Sequence, residues 1–182
     1  MEQMMRALLI AALIGLFGLQ NATARDVTIA EKTALAERVS AYQQAFIDKD
    51  YEAILDGSSP RFYEHVAKQA GASVPELRAF LIDQSKAVMA SATIEAHELD
   101  LDAAQYLKTK YDTPYVLIPT RVVLNIPDKG RFEIKRETLA IIDDDMWWLM
   151  RITNAGQVST LQQVYPSLSN ITFKDSVTTK LN

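Results

Sequence analysis

The 182-residue sequence has no cysteine, which removes disulfides, thiolate nucleophiles and cysteine-ligated metal sites at one stroke. Histidine is almost as scarce: the two residues, His65 and His97, lack the spacing of a metal-binding motif, so neither a metal nor any other cofactor is implied. Lysine and arginine form no cluster and the formal net charge is -4, which argues against nucleic acid as a partner. No apolar run approaches the ~20 residues of a membrane-spanning helix, so no stable membrane anchor is expected. No repeat and no Pro/Gly/Ser-rich linker divides the chain. Stability has to come from packing alone.

The N-terminus has the order of a secretory signal: Arg6, an apolar stretch over 7–19, then Ala22-Thr23-Ala24 as a small-x-small cleavage site. Cleavage is expected after Ala24, giving a signal peptide over 1–24 and a single domain over 25–182. With no cysteine at the cleavage point there is no lipid attachment, so the expected location is the periplasm or the exterior.

Two periods divide the rest. From Glu31 to about Ser91 apolar residues recur at helical spacing, and from about Thr93 to Thr153 they alternate as in strands. Leu35, Val39, Tyr42 and Phe46 form one stripe of a first helix over 30–48. A short helix around Ile54 and Leu55 ends at Gly57. Ser59-Pro60 opens a third helix that Gly71 ends, and Ser73 with Glu76 is a capping-box pattern opening a fourth. Strands are expected over 93–101, 105–111, 115–126, 132–142 and 147–153. A bulge is expected near His97, with hairpin turns at Pro127-Asp128-Lys129-Gly130 and at Asp143-Asp144-Asp145, the latter solvated. A short helix over 158–165 and an edge strand over 170–173 complete the reading. Helices followed by strands indicate an α+β fold, with the N-terminal helices covering one face of an antiparallel sheet.

The stretches Tyr42-Gln43-Gln44-Ala45-Phe46-Ile47-Asp48-Lys49-Asp50-Tyr51 and Ile141-Ile142-Asp143-Asp144-Asp145-Met146-Trp147-Trp148-Leu149-Met150-Arg151-Ile152 resemble the first helix and terminal hairpin of the nuclear-transport-factor-2-like superfamily, also called SnoaL-like or cystatin-like α+β. The resemblance runs over roughly 32–165. It implies N-terminal helices packed on a curved antiparallel sheet that forms a cone-shaped half-barrel, with a pocket at the mouth of the cone and an outer sheet face suited to dimers. The superfamily includes isomerases, cyclases, dehydratases and binding modules, so the fold alone assigns no activity.

Within that frame the candidate pocket comprises Tyr42, Phe46, Tyr63, His65 and Thr120. The candidate interface patch comprises Tyr115, Leu117, Arg121, Val123, Trp147 and Arg151, an unusually apolar outer face offered to a second copy or to an envelope protein. No acid lies on the helix-facing set Val116, Ile118, Thr120, Val122, Leu124 and Ile126, and no catalytic residue is assigned. The expected function is therefore a non-catalytic binding or accessory domain, holding a small apolar ligand in the cone or a protein partner on the sheet. The alternative is an isomerase-, cyclase- or dehydratase-type enzyme whose base, such as Glu95 or Glu137, points inward beside a tyrosine.

Overall fold

Thr28 starts the first helix. Its hydroxyl accepts the Glu31 backbone N–H at 3.2 Å while its own N–H donates to the Glu31 carboxylate at 2.8 Å, and this capping box opens α1 (Ile29–Asp48). The computed structural model describes residues 26–182; the expected signal and its cleavage site lie outside them. Lys49, in the left-handed region at φ 55, ends α1, and Asp50 caps α2 (Tyr51–Asp56). Ser59 and Pro60 begin α3 (Pro60–Ala70), which stops at Gly71 because φ +66 there suits a residue without a Cβ. Ser73 and Glu76 cap α4 (Val74–Met89) reciprocally, as their spacing predicts. Replacing Ser73 by alanine is expected to lower the unfolding free energy by about 1 kcal/mol in urea titration, since the Glu76 backbone N–H loses its side-chain acceptor.

Six strands form a single antiparallel sheet: β1 (Thr93–Leu99), β2 (Gln105–Lys108), β3 (Pro114–Ile126), β4 (Gly130–Asp143), β5 (Met146–Arg151) and β6 (Val177–Leu181). β3 and β4 are its spine, paired from Tyr115 opposite Ile141 to Ile126 opposite Gly130. β1 and β2 share the far edge of β3, while β5 and β6 share the far edge of β4. The sheet curls into a half-barrel around the helices, the α+β class expected from the periods and the cone expected from the resemblance.

Both faces of this sheet are covered. On the inner face Val116, Ile118, Ala140, Trp147 and Leu149 pack against Leu35, Val39 and Tyr42 of α1. On the outer face Tyr115, Leu117, Leu139, Ile141, Trp148 and Met150 lie beneath α5 (Ala155–Val164) and the 3-10 turn Pro166–Leu168, which contribute Leu161, Val164 and Leu168. Helix α5 starts earlier than the apolar period suggests because the Asn154 side chain caps it, accepting the Gln157 N–H at 3.0 Å.

Three local expectations are corrected. The stretch 170–173 is not a strand: Ile171 is drawn into the outer cluster, and the edge strand is instead β6, pairing with β4 where β5 has ended. The outward tryptophan is Trp148, not Trp147. Asp144 and Asp145 both have positive φ (50 and 59), the two-residue type I′ geometry, which sets Ile142 opposite Trp147 and Ile141 opposite Trp148. Trp147 then faces α1 and donates to the Glu31 carbonyl at 2.8 Å, while Trp148 donates to the Asp143 carbonyl at 3.0 Å. Asp143 itself is not part of a solvated turn. It accepts the Tyr165 hydroxyl at 2.8 Å and Arg61 at 3.1 Å, joining the hairpin to α3 and to the end of α5.

Candidate functional site

The bulge in β1 decides what enters the cone. The register of β1 on β3 shifts between Ile94 and Ala96, making Glu95 the extra residue, two positions before the expected site. Glu95 turns outward to Arg131, 2.6 Å away, and His97 is brought to the inner face opposite Val122. There the imidazole is only 5% exposed and stacks on Phe46 at 3.9 Å between centroids, with the Tyr42 ring at 5.9 Å. Its Nδ1 is buried without a hydrogen-bond partner. Burial, followed by the nearby charges of Arg136 and Arg151, holds its pKa down at about 3, so the ring is neutral near pH 7.

The β3–β4 and β4–β5 registers place those arginines on the inner face, Arg136 half-buried and Arg151 exposed. Arg136 stands opposite Thr120, and Arg151 stands opposite Thr138, which itself pairs with Ile118. The Nε of Arg136 is buried with no partner, and burial with the neighbouring Arg151 lowers the guanidinium to about 10. Burial raises the Tyr42 phenol above its usual range, against the pull of both arginines, so it remains protonated at neutral pH.

The other arginines of the described residues each have at least one polar partner. Arg61 reaches Asp143, Arg78 reaches Glu52 and Asp56, Arg121 lies between Glu98 and Glu133, and Arg131 holds Glu95. Arg38 donates to the Asp56 carbonyl, while its Nε is buried without a partner. Among the described residues Arg136 and Arg151 make neither an ion pair nor a side-chain hydrogen bond.

Beside this group opens a cavity of about 630 Å³. Tyr42, Phe46, Ile94 and Arg151 form its sheet end; Ile54, Phe62, Tyr63 and Val66 of α2 and α3, with Leu77, Leu81 and Val88 of α4, form apolar walls. Asn154, Gln157 and Thr160 of the α5 segment give it a polar margin.

Of the expected pocket residues, Tyr42, Phe46 and Tyr63 line this space. His65 does not: its Nε2 is hydrogen-bonded to Gln163 of α5 at 3.1 Å, because α3 turns that side of itself toward α5. Thr120 lies on the inner face but outside the cavity lining, its hydroxyl 2.7 Å from that of Thr138 and donating to the Ile118 carbonyl at 3.1 Å. The expected interface patch does not assemble as one outer surface. Tyr115 and Leu117 are buried beneath α5, Val123 is buried, and Arg121 is tied to two glutamates. Trp147 and Arg151 belong to the opposite, inner face. The apolar outer strand has its cover within the same chain.

Sequence reasoning left out Arg136 and the apolar wall of α4, and set His97 aside. The signal for Arg136 was the hairpin after Ile126: counting forward from Gly130 places every even-numbered β4 residue from Phe132 to Ala140 on the inner face.

Among the described residues the lining contains no carboxylate. Glu95 points outward, and Glu137, though only 6% exposed, accepts the Lys174 backbone N–H at 2.9 Å on the side away from the cone. Among the described residues no group of three His, Cys, Asp or Glu side chains could hold a metal ion, and no helix is long and apolar enough to cross a membrane. In comparison with known proteins, the chain matches no family model, no curated protein and no solved structure.

Proposed function

We propose that this chain is an exported, non-catalytic binding domain of the nuclear-transport-factor-2-like kind, which holds a small, largely apolar ligand in its cone. The cavity carries the reading: about 630 Å³, within the ~300–1,000 Å³ of small-molecule sites, walled by aliphatic and aromatic side chains and open at one end. The order of helices and curled sheet supports the superfamily resemblance, and the signal-like N-terminus supports export to the periplasm or beyond. An isomerase or dehydratase would need a carboxylate beside a phenol; the wall supplies Tyr42 and Tyr63 without the acid. A second copy docking on the outer sheet would meet α5 before it met the strands.

Titration with Nile red, a neutral fluorophore that brightens in apolar surroundings, tests the reading. Saturable binding at one site per chain is the expected result. Ser85 lies on the cavity side of α4, and Ser85→Trp is expected to weaken binding at least tenfold while leaving the circular dichroism spectrum unchanged. A dye response that is absent, or indifferent to this substitution, would remove the cavity as the functional site.

A further inference from the structure

We propose that the ligand carries a carboxylate head, seated at the sheet end of the cavity against Arg151, with Arg136, Tyr42 and His97 behind it. The inference rests on the cavity reading and adds the chemistry of one end. Two guanidinium groups on neighbouring strands face the same interior, and no acid among the described residues reaches either. Charges withdrawn from water in folded proteins are paired, because an unpaired one forfeits its hydration without compensation. Arg136 departs from this rule, and Arg151, an exposed residue of the cavity lining, has no acid partner either.

The remaining polar atoms of the group fit the same anion. Arg151 lines the open cavity and presents a planar fork of donors, the geometry that matches the two oxygens of a carboxylate. Arg136 has a buried Nε–H with nothing to receive it, and His97 has a buried Nδ1 equally bare. Tyr42, held protonated by burial, keeps a hydroxyl proton to donate. Away from this end the wall is apolar along α2, α3 and α4, so the complement is an amphiphile: an anionic head and a long or fused hydrocarbon body.

The test compares cis-parinaric acid with its alcohol, identical in chain and fluorescence but lacking the charge. The protein is purified after expression of the whole 182-residue chain. The acid is expected to bind at least tenfold more tightly than the alcohol. Arg151→Gln and Arg136→Gln are each expected to bring the acid's affinity close to the alcohol's, the ratio of the two within each variant being what is read. Arg151→Lys is expected to restore part of the preference. Equal affinities for acid and alcohol, or an acid preference that survives both glutamine substitutions, would overturn the carboxylate while leaving the cavity in place. Failure of both parinaric probes and of Nile red would overturn the cavity reading itself.

Discussion

Gly57→Ala is expected to lower the unfolding free energy by about 2 kcal/mol. Backbone considerations alone point the other way. Gly57 sits at φ -66 and ψ -27, a conformation open to any residue, and alanine at such a position ordinarily gains about 0.4–1 kcal/mol by restricting the unfolded chain. Space decides the sign. A Cβ here would meet Tyr42 Cδ2 at 2.6 Å, Tyr42 Cε2 at 2.7 Å and the Ile54 carbonyl at 3.0 Å. The Tyr42 ring is 6% exposed and flanked by Phe46 at 5.1 Å and His97 at 5.9 Å. The backbone is held as well, because the Gly57 carbonyl accepts the Leu149 N–H at 2.8 Å and so ties α2 to β5. Urea unfolding of the single variant and of Gly57→Ala in a Tyr42→Leu background measures the effect. The alanine should cost much less once the ring is gone, and a raised midpoint for Gly57→Ala alone would contradict the packing described.

Acid is expected to weaken the fold before its carboxylates titrate. His97 has a folded pKa of about 3 against an ordinary value of 6.5, so the unfolded chain takes up a proton that the folded chain refuses. Its contribution is complete above pH 6.5 and is lost progressively as the pH falls toward 3. Between pH 7 and 5 the loss is about 2 kcal/mol, in a window above the ordinary carboxylate range. The groups facing the ring oppose its charging or cannot relieve it: Arg136 from β4 and Arg151 from β5 are cationic, while Tyr42 and Phe46 from α1 supply a neutral phenol and a phenyl ring. Unfolding free energies of the wild type and His97→Phe at pH 7 and pH 5 check this. The variant keeps an aromatic ring against Phe46 and should lose less than about 0.5 kcal/mol over the same interval. Equal losses in the two proteins would assign the acid sensitivity elsewhere.

Much of the architecture could be read from local signals. The Ser73–Glu76 pair, the Ser59-Pro60 start and the Gly71 stop are chemical decisions made within a few residues, and the alternation of β3 follows from the pleat of a single strand. The site depends on longer counting. Whether His97 points in or out turns on one extra residue at Glu95, and a displacement of two positions in the reading of that bulge leaves its role undecided. Trp147 and Trp148 exchange faces according to the length of one aspartate turn. Arg136 and Arg151 meet only because the two hairpin registers agree, a property of three strands together. The covering of the outer face was least legible, since Leu161 and Val164 declare a helix but not which surface it lies upon.

The final strand carries a different consequence. β6 is largely exposed on its side chains and touches the sheet only along 131–135 of β4, so its contribution is one of backbone pairing more than of burial. Without it that segment would present unsatisfied amides and carbonyls next to Phe132 and Ile134, an open template for a strand from another molecule. The chain's last regular element thus acts as a seal against fibre-like self-association, and proteolytic trimming there would be felt first in solubility rather than in the melting of the core.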